Sequence, residues 1–253
     1  MCCRSPCSAD AGFETREKAL EIAARLVEKT RSESNCLYYG WTISGDKLFC
    51  REAYTDGEGM AAHLANVGSI LGEMLDGAAK LEKLDIHATL PDIEKVRESM
   101  TGVLSTAGFY ETVRGGFARV ENWGSFDFIT IQPTFTIKDA EKAKGIMDRF
   151  VAATESEAGA IWYGWTVARG TPRSPSNIIP CNGDKLYCRE AYVDGDAVLA
   201  HLDNVGALLG ELLDGAATLE SLEIHGPVLE LEKLKGKVPP VTVFYETVSG
   251  FTQ

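Results

Sequence analysis

Two histidines and two glutamates recur in this sequence at matched spacing. His63 follows Glu52 by eleven residues, and His201 follows Glu190 by the same eleven. Each Glu stands in Arg-Glu-Ala-Tyr within an apolar strand pattern, and each His in Ala-His-Leu within a helical one. A histidine titrates near neutrality and can accept or hold a proton. A glutamate pointing into an apolar region must be paired or protonated, and the nearby His or an adjacent Arg is its natural partner. His63 and His201 are therefore the candidate catalytic bases, with Glu52 and Glu190 as the candidate catalytic residues that orient them. The same residues could equally be a buried helix-to-sheet hydrogen bond, because Val67, Ile70 and Met74 put His63 on the apolar face of its helix.

Aromatic residues surround these positions. Tyr39 with Trp41, and Tyr163 with Trp165, alternate onto one face of a strand, and Tyr54 and Tyr192 lie on the strand that follows. Asn66 and Asn204 stand close to their His on the helix. These eight residues are the candidate substrate-binding set. Phenol and indole edges would wall a flat aromatic ligand and give it polar handles. Packing in the core is the competing use of the aromatics, and capping the competing use of the Asn pair. His87 and His225 are expected to end a strand with their rings exposed.

The elements that must position these residues come in two copies. Residues 46–87 align with 184–225 without a gap, and 29 of the 42 positions are identical. Tyr39-Gly40-Trp41 aligns with Tyr163-Gly164-Trp165, and Phe109-Tyr110-Glu111-Thr112-Val113 with Phe244-Tyr245-Glu246-Thr247-Val248. The organisation read from this is a first repeat over 1–118, a linker over 119–125 and a second repeat over 126–253. Two copies are too few for a solenoid and predict a two-lobed body.

Periodicity predicts the same elements in each copy. A helix over 14–29 or 138–154 carries apolar residues at helical spacing. A hairpin follows over 36–43 and 47–54, turning at Ser44-Gly45-Asp46. A long helix over 58–79 or 197–217 precedes a short strand at 84–87 or 222–225. A charged helix (91–100, 229–235) and a final strand (109–113, 241–248) close the copy. Such an order makes an α+β fold, a mostly antiparallel sheet with helices on one face. Its other face is apolar, so the second copy is expected to cover it, sheet against sheet. Phe126 to Pro133 reads as an opening strand in the second copy. The Cys-rich start of the first copy does not, and residues 1–10 are expected to be irregular. The second copy carries an insertion at about 168–181, with Pro172 and Pro175 in loop composition.

Composition limits the partners. The formal net charge is -12 and no Lys/Arg run occurs, which argues against nucleic acid and anionic membrane. No apolar stretch approaches the ~20 residues of a membrane span. Of the seven cysteines, Cys50 and Cys188 match between copies inside apolar strands. They read as buried thiols of a reducing compartment, and the protein as cytoplasmic. No Cys/His spacing suggests a zinc site, so no metal is expected.

The aromatic hairpin strand, Arg51-Glu52-Ala53-Tyr54, the acidic Gly turn and Ala62-His63-Leu64 together resemble the antibiotic biosynthesis monooxygenase domain. The second copy repeats the pattern as Arg189-Glu190-Ala191-Tyr192 and Ala200-His201-Leu202. The resemblance implies two ferredoxin-like repeats of the dimeric α/β-barrel superfamily, packed as an intramolecular dimer. It also implies a small apolar or aromatic ligand. The activity implied is oxygenation of a phenol or quinol without metal or flavin cofactor, or simple ligand binding or assembly without catalysis. Deleting residues 168–181 should leave the melting temperature within a few degrees in a thermal scan, and loss of folding on deletion would place that segment in the core.

Overall fold

The computed structural model describes residues 2–8, 13–100, 107–119, 125–168 and 185–253, with only the backbone of 2–8, 13, 14, 114 and 115. The expected insertion beyond Ala168 and most of the linker lie outside these residues. Six helices and eleven strands are described, a mixed α+β fold. In chain order they are β1 (Cys2–Ser8), α1 (Phe13–Thr30), β2 (Cys36–Ser44), β3 (Lys47–Tyr54), α2 (Gly57–Leu75), β4 (Lys80–Leu81), β5 (Asp85–Ala88), α3 (Leu90–Ser99) and β6 (Gly108–Ala118). Then follow β7 (Ile129–Ile137), α4 (Ala140–Glu155), β8 (Ala160–Ala168), β9 (Lys185–Tyr192), α5 (Gly195–Leu213), β10 (Ala217–Gly226), α6 (Val228–Leu234) and β11 (Thr242–Thr252).

The chain forms two compact units. Unit 1 comprises Met1–Phe109, Gly124–Phe126 and Tyr245–Gln253, and unit 2 comprises Tyr110–Trp123 and Asp127–Phe244. The end of β11 thus belongs to unit 1, while most of β6 belongs to unit 2. Within unit 1 the antiparallel ladders run β11, β2, β3, β1, β5. Within unit 2 they run β6, β8, β9, β7, β10. Each unit therefore places its opening strand between the second hairpin strand and the strand after the long helix.

That central place corrects one expectation. The Cys-rich start is a strand, paired with β3 along its whole length and with β5 at Cys2, Cys3 and Arg4. Cys2 lies opposite Ala53 and His87, as Thr130 lies opposite Ala191 and His225 in unit 2. Ladder bonds are made by backbone groups, so a slot bordered by two strand edges accepts a sequence of poor strand propensity. The same strands correct a second expectation. His87 and His225 are fully buried rather than exposed, because β1 and β7 run alongside them on one flank of the sheet.

Local chemistry sets the element ends. Asp56 caps α2 by accepting from the Gly59 N–H at 2.8 Å, and Asp194 caps α5 from Ala197 at the same distance. The hairpin turn between β2 and β3 uses Gly45 at φ +60, a left-handed conformation that glycine adopts without cost. In β7 the ladder to β9 skips Gln132 and Pro133, since proline brings no N–H to the middle of a sheet.

Helices pack on the sheet through narrow apolar faces. Ala19, Ile22, Ala23 and Leu26 of α1 are buried in unit 1, as are Ala143, Ile146, Met147 and Phe150 of α4 in unit 2. Each fully buried Leu or Ile contributes roughly 1.5–3 kcal/mol. Unit 1 also seats Phe126 in a notch of two glycines. A Cβ on Gly40 would lie 2.3 Å from the Phe126 ring and 2.7 Å from the Ser249 carbonyl oxygen, and one on Gly250 would lie 2.4 Å from that ring. The Arg51 guanidinium covers the ring at 4.8 Å. Gly40→Ala should therefore cost about 1–3 kcal/mol, the range for overpacking. Calorimetry should show a lower melting temperature, and an unchanged one would mean that Phe126 is not wedged there.

Candidate functional site

Each unit builds the same buried group from three elements. The long helix supplies a histidine, the second hairpin strand a glutamate, and the loop after the first helix a second glutamate. In unit 1 His63 Nδ1 lies 2.9 Å from Glu33 Oε2, and Nε2 lies 3.4 Å from Glu52 Oε2. In unit 2 His201 Nδ1 lies 3.0 Å from Glu157 Oε2, and Nε2 lies 3.1 Å from Glu190 Oε2. Each imidazole side chain is only 4% exposed. A tyrosine two residues along the strand completes the group. Tyr54 donates to Glu52 at 2.6 Å and Tyr192 to Glu190 at 2.5 Å.

The loop glutamates were missed from the sequence, although a signal was there. Counting back from Tyr-Gly-Trp, Glu33 and Glu157 fall at the same offset without a gap. They are held by their helix ends and by the chain that passes beneath. Glu33 N–H donates to Thr30 O, and Glu157 N–H to Thr154 O. In unit 1 Gln253 Nε2 donates to the carbonyls of Arg31 and Glu33. In unit 2 the Arg119 guanidinium does this work, donating to the carbonyls of Glu155, Glu157 and Ala160. Different residues at the ends of β11 and β6 thus pin the equivalent acidic loop.

The structure sorts the predicted residues into two groups. Tyr39, Trp41, Glu52 and His63 line a cavity of about 40 Å³ in unit 1. Tyr163, Trp165, Glu190 and His201 line one of about 70 Å³ in unit 2. The rest of both linings is mainly apolar, from Leu and Val of the long helix and, in unit 2, also from Phe150 and apolar residues of β7 and β10. Tyr54, Tyr192, Asn66 and Asn204 are not among the lining residues. The tyrosines hold the strand glutamate, and the asparagines hold the loop glutamate, Asn66 Nδ2 at 2.6 Å and Asn204 Nδ2 at 2.7 Å.

Electrostatics fix the charge state in unit 2. Burial pushes the His201 pKa down, but the Glu190 charge and the hydrogen bonds to Glu157 and Glu190 outweigh it and hold the group at about 9. His201 is therefore an imidazolium at neutral pH, with both ring N–H groups turned to carboxylates. Burial, reinforced by nearby acidic groups, pushes the phenols of Tyr39, Tyr54, Tyr163 and Tyr192 well above their ordinary range. The Cys188 thiol rises for the same reasons. The cavity of unit 2 thus faces neutral phenol and thiol groups, one imidazolium and one strand glutamate.

No protein-family model and no curated protein sequence matches the chain. Solved structures do. A proposed monooxygenase from Fusobacterium nucleatum superposes with a TM-score of 0.58 at 12% identity, covering 100% of this chain and 94% of its own. A second, from Lactobacillus acidophilus, gives 0.52 at 14% identity, covering 88% of this chain and 91% of its own. MupZ from Pseudomonas fluorescens is 29% identical over 50% of this chain and 94% of its own, with a TM-score of 0.41. The first two show that this chain has a monooxygenase-like α+β fold. No described helix is long and apolar enough to cross a membrane.

The raised His201 pKa has a measurable consequence. Its ordinary value is 6.5 and its folded value about 9, so the fold favours the charged ring. The resulting stabilisation, about 3 kcal/mol, is fully present below the lower value and is lost as pH rises through the upper one. Melting curves of the wild type should therefore fall between about pH 7 and about pH 9.5 more steeply than those of His201→Gln. Parallel curves would show that His201 is not charged in the folded chain.

Proposed function

We propose that the two units are duplicated, ferredoxin-like domains of the antibiotic biosynthesis monooxygenase type, forming an intramolecular dimeric α/β barrel. Each cavity receives the reacting edge of a small phenolic or quinol-like molecule, which the protein oxidises with molecular oxygen and no cofactor. The observation that carries this reading is the Glu–His–Glu group at a mainly apolar cavity wall, built twice from the same three elements.

The chemistry needs a base, an electron-rich anion and a dry site. With both His201 nitrogens facing carboxylates, the imidazolium serves as the fixed cation and Glu190 as the proton acceptor. The phenolic O–H bond breaks toward Glu190, leaving a phenolate. One electron passes from the phenolate to oxygen, and the resulting radical pair joins in a new C–O bond. Glu190 returns its proton to the peroxide oxygen, and the hydroperoxide then loses water to leave a quinone, so one phenol and one O₂ give one quinone and one H₂O. His201 offsets the negative charge throughout, and Tyr192 keeps the carboxylate oriented. In unit 1 Glu52 is the corresponding acceptor, oriented by Tyr54, with His63 beside it. Three thiols without disulfides, Cys36, Cys50 and Cys188, fit a reducing cytoplasm.

A second reading is favoured by cavity size. At about 40 and 70 Å³ both cavities fall well short of the roughly 300–1,000 Å³ of ordinary ligand sites. On that reading the chain is a non-catalytic binding or assembly protein, and the buried group only ties helix to sheet. Oxygen uptake with hydroquinones and naphthols separates the two. Wild type should consume oxygen, and the double variant Glu52→Gln, Glu190→Gln should lose at least about a hundredfold, the usual contribution of a general base. No uptake by folded wild type with any such substrate would leave the non-catalytic reading standing.

A further inference from the structure

The glycine notch that seats Phe126 in unit 1 has a counterpart in unit 2. Tyr163-Gly164-Trp165 aligns with Tyr39-Gly40-Trp41, and Gly116-Phe117 with Gly250-Phe251. The rows across the strands match as well. Arg51 lies opposite Gly40 of β2, and Arg189 opposite Gly164 of β8. Directly opposed residues of an antiparallel pair share one face of the sheet, so each arginine stands beside its glycine. Tyr38 flanks the Phe126 ring at 6.4 Å between centroids, and Trp162 holds the place of Tyr38 on β8.

The two notches differ in what fills them. In unit 1 the Phe126 ring takes the space over Gly40 and Gly250, and Gly40 and Arg51 are buried. In unit 2 a Cβ on Gly164 would meet only the Gly116 Cα, at 3.9 Å, among the described residues. Gly164, Trp162 and Arg189 are all partly exposed. Arg189 Nε is nonetheless buried and makes no hydrogen bond, and no carboxylate of the described residues pairs with the guanidinium. A charge held this close to the sheet without a partner is costly, and a buried N–H calls for an acceptor.

The notch of unit 1 shows what shape fits. There a flat ring lies against two glycines, with the guanidinium 4.8 Å from its centroid. The uncompensated charge of Arg189 adds the need for an anion. A single guanidinium balances one negative charge, and its planar fork matches a carboxylate.

We infer that unit 2 carries a second ligand site, on the face of β9 opposite Glu190, which takes a small aromatic carboxylate. The ring rests on Gly164 and Gly116 beside Trp162, and a carboxylate one carbon from the ring accepts from the Arg189 N–H groups. Neighbouring residues of a strand project to opposite faces. The site is therefore separate from the His201 cavity, and it stands whether or not that cavity oxidises phenols. Unit 1 has no such site, because Phe126 takes the place of the ring.

Titration of the full chain by ¹⁹F NMR with three probes tests this: 4-fluorophenylacetate, the uncharged 2-(4-fluorophenyl)ethanol and the ringless trifluoroacetate. Wild type should bind 4-fluorophenylacetate at least about tenfold more tightly than either of the others. Arg189→Gln should weaken that binding about tenfold or more, the loss of a charge-assisted hydrogen bond. Gly164→Val should do the same with Arg189 intact, because its methyl groups take the place of the ring and a strand accepts a β-branched residue. Trifluoroacetate bound as tightly as the aryl acid would reduce the site to an anion contact and overturn the inference. So would unchanged aryl-acid binding in Gly164→Val, or no binding to folded wild type. Gly164→Val and the wild-type comparison remain decisive even if Arg189→Gln folds poorly.

Discussion

An imidazole clamped between two carboxylates is the interaction on which the rest of each unit depends. It joins the long helix, the second hairpin strand and the loop after the first helix at one buried point. Removing charged groups from water is expensive, and a partly dismantled buried ion group typically costs 3–5 kcal/mol. The neighbouring residues are accordingly committed to it. Tyr54 and Tyr192 satisfy the strand acid, and Asn66 and Asn204 the loop acid. Gln253 and Arg119 fix the loop backbone from the ends of their strands. The aliphatic face of the long helix then closes over the group and leaves a small cavity beside it.

The two units solve this problem with the same residues at the core and different ones at the margin. Histidine, strand glutamate, loop glutamate, tyrosine and asparagine are identical in both. The loop clamp is not, since a neutral amide serves in unit 1 and a guanidinium in unit 2. Arg119 reaches the carbonyl of Glu155, the last residue of α4, and there opposes the negative end of the helix dipole. The His–Glu distances do not follow the clamp in one direction: across Nε2 unit 2 is the shorter, 3.1 Å against 3.4 Å, and at the clamped loop glutamate unit 1 is, 2.9 Å against 3.0 Å.

Much of this was legible in the sequence because it repeats. The helical faces and the hairpin at Gly45 follow from simple periodicity. The His–Glu contact follows from the need to pair a buried acid. Three features did not follow. The opening strand of unit 1 is defined by the edges that flank it, so its cysteines and serine carried no strand signal. His87 and His225 looked exposed because burial at a strand end depends on strands distant in sequence. Glu33 and Glu157 sit in a polar helix-to-strand loop, where an acid normally faces water. Only their equal distance from Tyr-Gly-Trp marked them. The asparagines, named as candidate ligand contacts, hydrogen-bond those acids.

The protonation of His201 tests this account most directly. Ring ¹⁵N chemical shifts, measured on the folded wild-type chain at neutral pH, report both nitrogens separately. The account predicts that Nδ1 and Nε2 of His201 are both protonated, as expected for an imidazolium between Glu157 and Glu190 that titrates only near pH 9. A neutral ring with one bare nitrogen at that pH would contradict it, and would return the role of base from Glu190 to the histidine.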